Sequence, residues 1–153
     1  MTELIGKAIS LGRVLLDTNV VSERNKPSPS PQVMNFLRDL DEQQTFISSV
    51  TVAELERGIH LLQNRESVRA QRLRLWLDTV LLPQFAERIL PFDTPVALRW
   101  GQLTGTEAAR RQPPAILDSM LAATASSHGL TLITRNTSDF LSLNIAVFNP
   151  WNE

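Results

Sequence analysis

The sequence holds no cysteine, which excludes disulfides, thiolate zinc centres and cysteine nucleophiles and suits a reducing cytoplasm. Histidine is nearly as scarce, with only His60 and His128. Long hydrophobic runs are missing too. The opening stretch MTELIGKAISLGR has no apolar core of signal-peptide length, and no segment approaches the roughly 18 apolar residues of a membrane span. The expected protein is therefore cytoplasmic, with no membrane partner. Nor is there an excess of positive charge: 15 Lys plus Arg face 16 Asp plus Glu, a net charge of −1, which gives no general electrostatic attraction for nucleic acid. Lysine is confined to Lys7 and Lys26, so thirteen of the fifteen basic residues are arginine.

What is present describes an ordinary globular chain. Its 153 residues are 42% hydrophobic and 20% charged, enough for a real core in one domain. Residues 1–12 read as an N-terminal extension and 13–153 as a single domain. Val14-Leu15-Leu16 and Thr45–Ser49 are short apolar runs that end in polar, capping-type residues, as buried strands do. Val52, Leu55, Ile59 and Leu62 keep helical spacing between Val50 and Asn64. A second amphipathic stripe, Leu73, Trp76, Leu77, Val80 and Leu81, predicts a helix over Ser67–Gln84. Ile89–Phe92 reads as a short strand, and Thr94-Pro95 as the start of a helix reaching about Arg110, with Trp100 and Leu103 facing inward. After Pro113-Pro114, the apolar positions Leu117, Met120, Leu121, Thr124, Ala125 and His128 predict a helix stopped by Gly129. Leu130–Thr134 and Ile145–Phe148 read as strands, separated by a polar turn over Arg135–Leu141. The run Lys26–Pro31 is a stiff surface loop, too short to separate domains. Strands alternating with helices predict an α/β fold with a central, mostly parallel sheet of four or five strands.

Ligands of such sheets collect at the C-terminal ends of the strands. Asp17 directly follows the first strand, Glu54 lies early in the helix after the second, Asp139 lies just past the strand ending at Thr134, and Asp118 opens the helix leading into that strand. Singly, each reads as a helix cap or a carboxylate facing a helix dipole. Four together would repel one another unless a cation neutralised them. All-oxygen donors suit Mg²⁺ or Mn²⁺ rather than zinc. His128 reads as a helix-end residue and His60 as surface or packing, without a second His at metal spacing. A carboxylate-held divalent ion without a Ser-His-Asp set points to phosphodiester or phosphoryl chemistry. With these four acids neutralised, the remaining side chains balance at fifteen positive to twelve negative. Arg69, Arg72, Arg74, Arg110, Arg111 and Arg135 are then candidate RNA phosphate contacts, or else a solvated face or the docking site of an acidic partner.

The stretches LLDTNVVSE (15–23), ISSVTVAELERGI (47–59), AILDSMLAATA (115–125), LITRNTSDF (132–140) and FNPW (148–151) together resemble the PIN-domain toxins of the VapC and FitB kind. The resemblance covers most of the chain in the right order. It implies a three-layer α/β/α nuclease that cleaves RNA, forms a homodimer and is held inactive by a cognate antitoxin. Asp17, Glu54, Asp118 and Asp139 match the family's acidic set, Asn19 the polar residue after the first acid, and Thr134 and Asn136 the supporting polar groups beside the last. The implied mechanism has Asp17, Glu54 and Asp118 holding one or two ions, Asp139 completing the cage, and a metal-activated water attacking the scissile phosphate in line. The residues 1–12 depart from the family pattern.

Two other readings compete. Asp17 after a first strand is similar to the nucleophile of aspartyl-phosphate phosphatases and receiver domains. No lysine follows Lys26 to neutralise the phosphoryl group, however, and Thr18-Asn19-Val20 lacks the second Asp of those phosphatases. A non-catalytic PIN-fold interaction module would not need all four acids.

Overall fold

The computed structural model describes residues 11–152. Most of the expected extension, residues 1–10, lies outside the described residues. Among those described, the strands β1 (Val14–Leu16), β2 (Thr45–Ser48), β3 (Ile89–Leu90), β4 (Thr131–Ile133) and β5 (Val147–Phe148) form one sheet ordered β3-β2-β1-β4-β5. Each neighbouring pair is parallel, with Leu15 opposite Phe46 on one side and Leu132 on the other. The helices that return the chain are α1 (Thr18–Ser22), α2 (Pro31–Asp39), α3 (Ser49–Leu62), α4 (Ser67–Trp76), α5 (Thr94–Thr104), α6 (Glu107–Arg111) and α7 (Ile116–Ser127).

The central strands are buried on both faces, which makes three layers. Val14 and Leu16 of β1, Ile47 of β2 and Ile133 of β4 pack with Val20, Val33, Phe36, Leu77 and Leu81 on one face. Leu15 and Leu132 point the other way, into Leu121, Ala122 and Ala125 of α7 and into Phe140 and Leu143. Period-two alternation within an all-apolar triplet is what a covered parallel strand requires. Leu15, fully buried, contributes on the order of 1.5–3 kcal/mol by leaving water.

Local chemistry revises several expected boundaries. The segment over 67–84 is not one regular helix: after α4 it widens into a π turn at Leu77–Leu81 before the short turn Leu82–Gln84. Pro83 has no N–H to continue the α-helical ladder, and the extra residue per turn rotates Val80 out to 49% exposure. The helix expected from Thr94 to Arg110 is broken at Gly105. Thr106 opens α6 by accepting the Ala109 N–H at 3.2 Å, and a Cβ at Gly105 would stand 2.8 Å from the Gly101 carbonyl. Asp93, not Thr94, caps α5. Leu117 is exposed in the first turn of α7, while Leu121 to Ala125 are buried without interruption, because the middle of this helix is covered all round rather than along a stripe. The expected polar turn after β4 contains a 3-10 segment, Thr137–Leu143, that buries Phe140 and Leu143. The helix α2, which begins where the proline-rich run ends, has no counterpart among the elements expected from the sequence. Its N-cap is Ser30, whose hydroxyl accepts the Val33 N–H at 3.3 Å.

Candidate active site

Chain order reverses direction across the sheet between β1 and β4, and that switch point opens a crevice at the C-terminal edge. Asp17 stands at its centre. The backbone N–H of Asp17 donates to the Ile133 carbonyl at 2.9 Å, tying the end of β1 to the end of β4. The carboxylate caps α1 through Oδ1, which accepts the Thr18 N–H at 2.6 Å, and Oδ2 accepts the Thr134 hydroxyl at 2.8 Å. Asn19 Nδ2 approaches the same Oδ2 at 3.5 Å. Burial pushes the Asp17 carboxyl above the usual carboxylate range, the bonds from Thr134 and Thr18 pull it back, and the negative charges of Glu54 and Asp139 push it up again.

Glu54, half-buried on α3, reaches the same crevice. Its Oε1 accepts the Thr18 hydroxyl at 2.8 Å, and that hydroxyl lies 3.2 Å from the Thr51 hydroxyl. Nothing in the sequence singles out Thr18. A threonine after a capping aspartate looks like an ordinary helix start, and only the packing of α1 on α3 gives its side chain a partner. Asp118 sits in the first turn of α7. Its carboxyl is pushed up to about 6, first by burial and then by the charges of Asp17 and Asp139. Asp139 is exposed on the 3-10 segment, its N–H bonded to the Asn136 carbonyl at 3.0 Å.

The four acids thus form one electrostatically connected set. Asp17 feels Glu54 and Asp139, and Asp118 feels Asp17 and Asp139. They do not form a closed chelate: among the described residues no three Asp, Glu or His side chains are gathered tightly enough to hold one ion. The donor chemistry fits a hard divalent cation that keeps part of its water shell and is reached partly through water. Neither histidine joins the set, since His60 pairs with Glu56 at 3.2 Å and His128 ends α7.

The expected supporting residues knit the crevice from the β4 side. Asn136 N–H donates to the Thr134 hydroxyl oxygen at 3.1 Å, and Asn19 Oδ1 accepts the Arg135 N–H at 3.4 Å. The Arg135 carbonyl in turn accepts Asn149 Nδ2 at 3.0 Å, while its guanidinium covers the Trp151 ring at 5.2 Å. The remaining arginines divide. Arg69 pairs with Glu66 and lines a groove that also holds Thr18 and Glu54. Arg74 is occupied by Glu56 at 2.7 Å and Asp78 at 3.4 Å, and Arg111 pairs with Glu107. Arg72 and Arg110 make no ion pair among the described residues.

Two cavities flank the acids. One, of about 250 Å³, runs from Thr18 and Glu54 along Leu55, Ile59, Leu73 and Trp76. The other, also about 250 Å³, includes Asp118 and Asp139 in its wall.

The PIN domain pattern matches residues 14–144. Toxin FitB of Neisseria gonorrhoeae is 41% identical over 140 residues, covering 92% of this chain and 99% of that protein. The VapC ribonuclease Y4jK of Sinorhizobium fredii is 31% identical, covering 90% of this chain and 97% of its own length. The crystal structure of FitAcB from Neisseria gonorrhoeae is similar with a TM-score of 0.82 at 41% identity, over 92% of this chain and 99% of that one. VapBC-5 of Mycobacterium tuberculosis, a member of the VapBC family of toxin-antitoxin systems, gives a TM-score of 0.61 at 26% identity, over 90% of this chain and 97% of that one. With a sheet that is wholly parallel among the described residues and matches across nearly its full length, the chain belongs to the PIN-domain family, among the FitB and VapC toxins.

Proposed function

We propose that this chain is a metal-dependent endoribonuclease, the toxin of a toxin-antitoxin pair, and that residues 13–153 form its single nuclease domain. The observation that carries the reading is the shared field of Asp17, Glu54, Asp118 and Asp139 at the switch point of the sheet, which leaves Asp17 and Asp118 short of counter-charge. Asp17, Glu54 and Asp118 would hold Mg²⁺ or Mn²⁺ directly or through water, with Asp139 completing the cage. The chemistry such an ion would supply there is a lowered pKa for an attacking water and neutralisation of charge on the leaving oxygen. The chain itself sets the geometry. Thr134 and the Thr18 N–H fix both oxygens of Asp17, the Thr18 hydroxyl aims Glu54, and Asn19 and Asn136 brace the loop after β4.

The groove beyond Glu54 supports the partner reading. Leu55, Ile59, Leu73 and Trp76 give it an apolar floor, and Lys26 and Arg69 also line it. A segment of the antitoxin lying there would end beside the acids and block them. Homodimer formation and a cytoplasmic location complete the proposal; no helix among the described residues is long and apolar enough to cross a membrane.

The test is cleavage of RNA by the purified chain. Activity should require Mg²⁺ or Mn²⁺, stop with EDTA, spare small phosphomonoesters, and disappear in Asp17→Asn and Asp118→Asn while circular dichroism stays unchanged. Full activity in both variants would remove the mechanism, and hydrolysis of phosphomonoesters would favour an aspartyl-phosphate enzyme instead.

A further inference from the structure

The cavity that includes Asp118 and Asp139 is distinct in character from the apolar groove on the other side of the acids. Its wall comprises Gln112, Pro113, Pro114 and Ala115 ahead of α7, and Ser138 and Ser142 from the 3-10 segment. Three of these side chains, exposed Gln112 and Ser138 and half-buried Ser142, have no protein partner among the described residues and can exchange water for a ligand. Gln112, Ser138 and Ser142 make no side-chain hydrogen bond among the described residues, although the Gln112 N–H closes α6 on the Ala108 carbonyl at 3.1 Å. An amide offers two donors and an acceptor, and each hydroxyl one donor and two acceptor lone pairs. These polar residues line a recess of about 250 Å³ whose wall is shared with two of the four acids.

We propose that this recess is a nucleobase subsite, which seats one base next to the scissile phosphate and sets the sequence preference of cleavage. The inference rests on the ribonuclease reading given above and names what that site selects. The chemistry of the wall favours a base over a phosphate. Among the described residues no basic side chain lines the recess to pair with an anion, whereas the amino and ring N–H groups of a base can donate to the amide and hydroxyl oxygens of Gln112, Ser138 and Ser142. Gln112 can both donate to and accept from a Watson–Crick edge. Pro113 and Pro114 supply rigid apolar surface for a ring face and hold Gln112 at the end of α6. The recess is smaller than the roughly 300–1,000 Å³ typical of drug-sized ligand sites, in keeping with one ring system. Single-stranded RNA is read in this way, by splaying an unstacked base into a pocket and bonding its edge. The ends of α6 and the 3-10 segment, rather than the acids, then carry specificity.

The experiment is a cleavage profile on an RNA pool randomised on both sides of the cut, with Mn²⁺, for the full chain and for Gln112→Ala, Ser142→Ala and the control Gln43→Ala, which lies ahead of the N-terminal end of β2. Removal of one hydrogen bond is worth about three- to tenfold. The base preference at one position adjoining the cut should therefore fall by that factor in Gln112→Ala and Ser142→Ala and persist in Gln43→Ala. Binding supplies a second readout: Asp17→Asn protein, unable to cut, should distinguish oligonucleotides differing at that position by fluorescence anisotropy, and lose the distinction when Gln112→Ala is added. Identical profiles in all four proteins, or a preference that falls equally in the control, would overturn the subsite while leaving the nuclease intact. A wild-type chain that cuts no RNA would overturn both.

Discussion

The Thr134 hydroxyl donates to Oδ2 of Asp17 at 2.8 Å across 117 positions of sequence. Both residues are buried, and the bond holds the ends of β1 and β4 in register at the crevice. Thr134→Val keeps the shape and removes the donor, leaving a buried carboxylate oxygen with only Asn19 at 3.5 Å. We expect a loss of about 1–3 kcal/mol in urea unfolding at pH 7, with Thr134→Ser retaining most of the stability. Because Thr134 stabilises the ionised form of Asp17, the loss should grow from pH 5 to pH 8. Equal losses in the Val and Ser variants would mean that the methyl group, not the hydroxyl, matters.

Asp118 supplies a pH dependence of defined sign. Its carboxyl is raised from 3.8 to about 6 in the fold, so the folded state binds the proton more tightly than the unfolded chain. The associated stability is fully present below about pH 4 and is lost as pH rises through 6; the raised Asp17 acts in the same direction. In EDTA, the wild-type melting temperature should therefore carry a component that declines over this window. Asp118→Asn should remove that component and be more stable than wild type at pH 7.5. Divalent ions should reverse the order, since they compensate the ionised acids and compete with protons, and their affinity should weaken below pH 6. A metal-free Asp118→Asn protein that melts below wild type at pH 7.5 would contradict the assignment.

Asp17 is legible in the sequence because it directly follows an apolar triplet, and Glu54, Asp118 and Asp139 because each lies within a few residues of an element that starts or ends at the same edge of the sheet. The crossover pattern likewise leads to the parallel sheet. What stays hidden depends on packing between elements. Thr18 has meaning only once α1 lies on α3, and Arg88 only once β3 joins β2. Helix α2 is masked because Ser30-Pro31, a cap followed by a proline that suits a first turn, closes a stretch that otherwise reads as loop. Val80 and Leu117 fall in apolar stripes drawn for regular helices. A π turn displaces the first, and Leu117 lies in the exposed first turn of α7, ahead of the stretch Leu121 to Ala125 that is buried on every side.

Arg88, 8% exposed, clamps the opposite edge of the sheet. Its Nη1 donates to the carbonyls of Glu42 and Thr45 at 2.6 and 2.5 Å, and Nη2 donates to that of Gln84 at 2.6 Å. The guanidinium also stacks over Phe85 at 4.7 Å. Arg88→Ala strands these acceptors and should cost about 3 kcal/mol in chemical denaturation. Arg88→Lys, a point charge without the planar fork, should recover only part. Cleavage per folded molecule should hold in both variants, because the clamp lies away from the acids. A fall in activity without a fall in stability would mean that this edge takes part in RNA binding.

The arginines can be sorted by salt dependence, because each phosphate neutralised on a single strand adds about 0.7 to the slope of log K against log salt. Arg72 and Arg110 have no ion-pair partner among the described residues, and Arg135 is held only against Trp151 and its own loop. Reversal of each to Glu should weaken binding of single-stranded RNA to the Asp17→Asn protein and flatten the slope by about that amount for every phosphate no longer neutralised. Arg74 is already committed to Glu56 and Asp78, so Arg74→Glu should appear in the thermal melt and leave the slope nearly unchanged. A slope that stays constant through all three reversals would place the RNA on another face, and would leave these arginines as solvated side chains or as the seat of an acidic partner.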